Sequence, residues 1–123
     1  MLSYRTEQSI PAFAKIILVS AGLVGGPTAH EGNVLINGRP VCDDYWDNND
    51  ATVVCRMLGY GSGIAVQNAA YGSVEGKFIL NNVDCKGTEA NIHQCTKSHA
   101  HKCHGPEGAG VICIPEGKAS DHY

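Results

Sequence analysis

The chain has 123 residues, 43% of them hydrophobic, which is enough for one domain with a modest core and too little for two. Its net charge is −3, with lysines and arginines scattered rather than grouped, and this argues against a nucleic-acid-binding protein. Fifteen glycines predict many turns and few long helices, and six cysteines predict an oxidising compartment.

In chain order, residues 1–15 read as an N-terminal tail or linker. Residues 16–24 form an apolar run that resembles a signal-peptide core but is too short to span a bilayer. Glu7 sits where a leader would carry basic residues, and β-branched Ile16, Ile17 and Val19 favour a first strand over 16–19. Residues 20–30 read as a loop broken at Gly25, Gly26 and Pro27. Residues 32–36 read as a strand, Asn37-Gly38 as a hairpin turn, and 39–43 as the returning strand. Apolar residues at 53, 54, 57 and 58 then predict one helix, opening at Asn49-Asp50 with Asn48 or Asn49 as its cap and ending at Gly59. Cys55 falls on or beside its buried face and should tie it to another element. Residues 61–76 read as glycine-rich loop, 78–80 as a strand, 88–94 as a short helical turn, and 111–114 as the closing strand. Residues 115–123 read as a C-terminal tail. The expected class is α+β, a curved antiparallel sheet cradling one main helix.

The cysteines are Cys42, Cys55, Cys85, Cys95, Cys103 and Cys113. No pair has the C-x-x-C spacing of a zinc ribbon or a thioredoxin site, and an even number at wide spacing suits three disulfides, with about 15 connectivities open. A reduced cytosolic chain with buried thiols is the alternative. Between the first two cysteines lie Asp43, Asp44, Asp47 and Asp50, next to the single tryptophan, Trp46. Asp50 in the first helical turn favours the helix dipole. Asp47 is within reach of nearby amides as a turn cap. Trp46 reads as a partly buried anchor, with ligand contact as the minority reading.

The stretches Leu23-Val-Gly-Gly26, Glu31-Gly-Asn-Val34, V-C-D-D-Y-W-D-N-N-D-A-T-V-V-C-R-M-L-G-Y-G at 41–61, Val83-Asp-Cys85, His93-Gln-Cys95 and Ala109-Gly-Val-Ile-Cys113 follow one another in order. Together they resemble a scavenger receptor cysteine-rich (SRCR) domain of the six-cysteine type, group A, over residues 16–114. The resemblance implies the bridges Cys42–Cys103, Cys55–Cys113 and Cys85–Cys95. It also implies a Ca²⁺ ion held by Asp43, Asp44 and Glu107, and calcium does favour several hard oxygen ligands. The alternatives for these acids are a solvated turn and a salt bridge to Arg39 or Lys102. The family's second cation site is expected to be missing, because its positions read Asn81, Asn82 and Lys102, with Asp84 alone nearby. The chain departs from the family at Arg39 and at His93, where the family often carries tryptophan.

His99, His101 and His104 flank Cys103 and invite a zinc reading, but a disulfide at Cys103 would leave only imidazoles in a polar loop. The chain has no G-x-S-x-G, phosphate-loop or H-E-x-x-H motif, and it is not expected to be an enzyme. The expected function is an extracellular, scavenger-receptor-like binding module, either secreted or the outer domain of a membrane-anchored protein. Its ligands would be proteins or polyanionic surfaces such as lipopolysaccharide or sulfated glycans, with Arg39 and Lys102 adding positive charge beside the calcium. The alternative is a docking or regulatory module of a larger secreted mosaic protein, such as a serine protease or a lysyl-oxidase-like protein, with calcium only structural. Neither nucleic acid nor a membrane span is expected.

Overall fold

The computed structural model describes residues 19–99 and 103–115. The tails expected at 1–15 and beyond 115, the first residues of the strand expected at 16–19, and Lys102 and His101 lie outside the described residues.

Strand β2 (Glu31–Ile36) is the axis of the main sheet. It pairs antiparallel with β1 (Ala21–Val24) and β7 (Gly110–Ile114), and through Asn37-Gly38 with the two-residue β3 (Arg39–Pro40). Both turn residues have positive φ, 53° and 79°, as the twist of a two-residue hairpin requires. Strand β4 (Ser62–Val66) pairs with the far side of β7, so the spatial order is β1-β2-β7-β4. A separate two-stranded sheet pairs β5 (Leu80–Asp84) with β6 (Thr96–His99).

The first strand therefore lies later than expected. Ala21–Val24 pairs with β2 inside the stretch read as loop, because its partner supplies hydrogen bonds that local propensity does not register. The stretch read as loop at 61–76 likewise contains β4. The returning strand keeps only Arg39–Pro40 in the sheet; Val41 and Cys42 continue as single bridges to Leu80 and Gly108. The strand expected at 78–80 begins at Leu80 and runs to Asp84, and β6 was not anticipated.

One helix, α1 (Asn48–Met57), packs across β4 and β7. Its cap is Asp47 rather than an asparagine. The Asp50 amide donates to the Asp47 carboxylate and the Asp47 amide to the Asp50 carboxylate, a reciprocal pair that satisfies two helix-end donors. Leu58 ends the helix, with Gly59 after it at φ 97°. Ala51, Val53, Val54 and Cys55 face the core with Val34, Ile36, Val111, Val83 and Ile92. Trp46 is 2% exposed, not partly buried, and its indole N–H donates to the Gly110 carbonyl at 2.8 Å. It anchors the helix entry to β7 and presents no face to a ligand.

Asp50 is fully buried, a role its position in the first turn did not reveal. Its second oxygen accepts the Cys85 amide at 2.8 Å, so one carboxylate joins the helix start to the end of β5. The pairings Cys42–Cys103, Cys55–Cys113 and Cys85–Cys95 are all present. Cys55–Cys113 ties α1 to β7 as its position on the helix predicted, and Cys85–Cys95 spans the 3₁₀ turn at Ile92–Gln94.

Candidate functional site

The segment Pro40 to Asp43 is a seam between the two sheets. On one side the Ile79 amide donates to the Pro40 carbonyl and the Cys42 amide to the Leu80 carbonyl. On the other, the Ala109 amide donates to the Val41 carbonyl and the Asp43 amide to the Glu107 carbonyl, each at 2.9 Å. The seam and the Cys42–Cys103 bridge thus bring the first acids beside the 3₁₀ turn Gly105–Glu107. The chain then bends: the Trp46 amide donates back to the Asp43 carbonyl, with Tyr45 at φ 64° and 80% exposed. This bend frees Asp43 and Asp44 from the opposite-face geometry of an extended strand.

Among the hydrogen bonds of the described residues, each carboxylate keeps oxygen atoms free. Asp43 Oδ2 accepts the Asn68 amide at 2.7 Å, and Glu107 Oε1 accepts the His104 amide at 2.7 Å. Asp44 is exposed and lies against the Cys42–Cys103 sulfurs. Burial pushes the Asp43 carboxyl above its usual range; the Asn68 amide opposes this, and the charges of Asp44 and Glu107 push it up further. Asp44 and Glu107 are therefore each near enough to Asp43 to repel its charge, the arrangement that a cation would relieve. Their donor set, carboxylate oxygens only, fits a hard cation such as Ca²⁺. Among the described residues, the donor triplets within 4.8 Å of one another are Cys42–Asp44–Cys103 and Cys85–Glu89–Cys95, each with two disulfide sulfurs and one carboxylate. The oxygens of Asp43, Asp44 and Glu107 stand wider than that.

The loop after β4 closes the site, and nothing in the sequence pattern marked it. Besides the Asn68 amide, the Ala69 amide donates to the Gly108 carbonyl and the Gln67 side chain to the Trp46 carbonyl. Asn68 and Ala69 both have positive φ, 61° and 48°, a conformation uncommon for residues with a Cβ and found where surrounding bonds hold it.

Arg39 is half-buried, and its guanidinium donates to the Lys77 and Phe78 carbonyls at 2.9 and 3.0 Å. It braces the segment just before β5 and, among the described residues, keeps its remaining N–H groups unspent. At the positions of the family's second cation site, Asn81, Asn82 and Asp84 lie on β5, where Asn81 pairs with Ser98 and Asp84 with Thr96. Of the expected polar histidine loop, His99 belongs to β6 and His104 opens the 3₁₀ turn.

The model of the scavenger receptor cysteine-rich domain matches residues 24–114. The chain belongs to the SRCR family. An SRCR-superfamily protein of Patiria pectinifera is 48% identical over 98 residues, covering 74% of this chain and 9% of that protein. The macrophage receptor MARCO of Mus musculus is 44% identical over 95 residues, 74% of this chain and 18% of the receptor. Among solved structures, the third SRCR domain of murine neurotrypsin is similar at TM-score 0.73 and 37% identity, covering 78% of this chain and 96% of that domain. The dimeric form of the mouse MARCO SRCR domain is similar at TM-score 0.58 and 37% identity, with 85% and 99% covered. The chain thus spans less than a fifth of the length of these curated relatives. The SRCR fold is the expected α+β one, with three disulfides of the six-cysteine type. The SRCR region is thus the part of the chain that is similar to a macrophage receptor. No helix among the described residues is long and apolar enough to cross a membrane.

Proposed function

We propose that this SRCR domain is a non-catalytic recognition module for anionic extracellular ligands, and that it holds Ca²⁺ through Asp43, Asp44 and Glu107. The observation that carries this reading is the acidic triad itself: three carboxylates on two segments joined by the seam, with the charges of Asp44 and Glu107 raising the cost of ionising Asp43. A bound divalent cation supplies the positive charge that reverses the sign of such a patch. The residues of the chain do the rest: Asp43 and Glu107 are fixed by backbone bonds, Asn68 orients Asp43, and Arg39 offers N–H donors. Lys102 would add a cation next to Cys103. Ligands of matching chemistry are lipopolysaccharide phosphates and sulfated glycans.

The test is a calcium titration of the oxidised chain followed by amide NMR, with Asp44→Ala in parallel. Saturable shifts confined to residues near 43–44, 68 and 104–108, lost in the variant, are expected. Unchanged amides at millimolar calcium, or ligand binding indifferent to chelator, would sink the proposal.

A second reading has its own support. The likeness to one SRCR domain among several in neurotrypsin, and the small share of each relative that the chain spans, fit a docking module within a larger secreted protein. Under that reading calcium tightens the domain without touching a ligand, so chelation lowers the melting temperature while partner binding survives.

A further inference from the structure

The small β5–β6 sheet carries a pocket, and none of its side chains belongs to the acidic triad. It encloses about 250 Å³ and is lined by Leu80, His93, Lys97, Ser98 and His99. Leu80, 7% exposed, forms an apolar floor. Lys97 is half-buried, and its ammonium donates to the His93 and Cys95 carbonyls at 2.8 and 3.1 Å. Two of its three N–H groups are thereby fixed on the 3₁₀ turn, a cation held in place by carbonyls and, among the described residues, not neutralised by a carboxylate. His93 and His99 are exposed on either side of it, and the hydrogen bonds of the described residues leave both rings free.

The elements packed against this pocket supply little opposing charge. Across the sheet, His99 faces Leu80 and Ser98 faces Asn81; the acid of β5, Asp84, pairs with Thr96 at the other end of the hairpin. On the seam, Val41 meets Leu80, and Arg39 is bonded to the Lys77 and Phe78 carbonyls just before β5. The charged and titratable groups of these elements are thus His93, Lys97, His99, Arg39 and Lys77 on the basic side, and Asp84 and, at the far end of the seam, Asp43 on the acidic side.

We propose that this pocket is a calcium-independent, acid-strengthened subsite for a sulfate ester of a sulfated glycan, held by Lys97 and by the imidazoles of His93 and His99. A lysine is a point charge suited to an oxyanion, and imidazoles add charge as they protonate in the mildly acidic range. Sulfate is favoured over a phosphate monoester because its charge is constant there, whereas phosphate loses charge over the same interval. The proposal does not depend on the calcium reading, since it needs none of Asp43, Asp44 or Glu107.

The experiment measures binding of the oxidised chain to dextran sulfate, with neutral dextran as control, in excess chelator at about pH 5.5 and about pH 7.5. Affinity for dextran sulfate should rise on acidification, by roughly 1.5- to 5-fold for each histidine charge at such exposed positions. The exposed double substitution His93→Gln/His99→Gln should abolish this rise and leave the binding at the higher pH intact. Lys97→Met should weaken binding at both pH values. An undiminished pH response in the double variant, or no wild-type binding in chelator at the lower pH, overturns the proposal. Failure of the calcium titration alone leaves these outcomes unaffected.

Discussion

Asp50 is the fully buried acid of the helix start, and its carboxylate accepts two backbone amides. Burial pushes its carboxyl up to about 7, with the Cys85 and Asp47 amides pulling it down and the Asp47 carboxyl adding to the rise. Replacing it by alanine strands two amide donors, one of them at a helix start, and should cost roughly 2–4 kcal/mol in urea unfolding. An unfolded carboxyl titrates near 3.8, so between there and about 7 the folded chain holds a proton that the unfolded chain releases. The contribution of this group therefore falls as pH rises through that window. The urea midpoint of the wild type should decline relative to Asp50→Asn between those limits; a gap independent of pH would refute the assignment. Asp43 works in the opposite sense under the proposed calcium reading: the cation would need the ionised carboxylate, so the raised pKa predicts a calcium affinity that falls on mild acidification, readable in the same NMR titration. The D-N-N-D spacing made the helix start legible, but not the bond to Cys85, which lies 35 residues away. The acids of the candidate site came from family resemblance; the Asn68 amide that orients Asp43 left no trace in any local pattern.

At the level of elements, legibility followed periodicity. The helix, β2, its Asn-Gly turn and β7 have apolar spacing or turn chemistry that local rules detect. Strand β6, T-K-S-H, is polar along its length and exists because β5 pairs with it. Strand β4, S-G-I-A-V, was hidden by Gly63 and the neighbouring Gly61, yet Gly63 is what lets the helix close on it. A Cβ at 63 would sit 2.5 Å from Cys55 Sγ and 2.8 Å from the Ala51 carbonyl oxygen. Around that contact the Thr52 hydroxyl exchanges hydrogen bonds with Gly63, and the Asn48 side chain accepts the Ala65 amide. Gly63→Ala should destabilise the domain by about 1–3 kcal/mol through overpacking. Urea unfolding with all bridges intact checks this, and a neutral outcome would mean that the helix can move off β4 without loss.

For the whole molecule, a small core is supplemented by covalent ties. The widest-spaced bridges, with sequence separations of 61 and 58, interleave: Cys42 precedes Cys55, and their partners Cys103 and Cys113 follow in the same order. Width of spacing announced disulfides without their pairing, because connectivity depends on which strands become neighbours. Removing Cys55–Cys113 by paired alanines should cost about 2–5 kcal/mol and loosen α1 from β7. Loss of helical circular dichroism at a lower urea concentration would register it, while an unshifted midpoint would show that burial alone holds the helix. The interleaving also governs what happens when the backbone is cut. Residues 67–79 carry no strand or helix, and Glu75, Gly76 and Lys77 are exposed there, the kind of stretch a protease finds first. A nick after Lys77 would leave Cys42 and Cys55 on one fragment and Cys103 and Cys113 on the other, with both bridges crossing the break. The severed halves would stay one particle, seam and acidic triad still apposed, until a reductant released them.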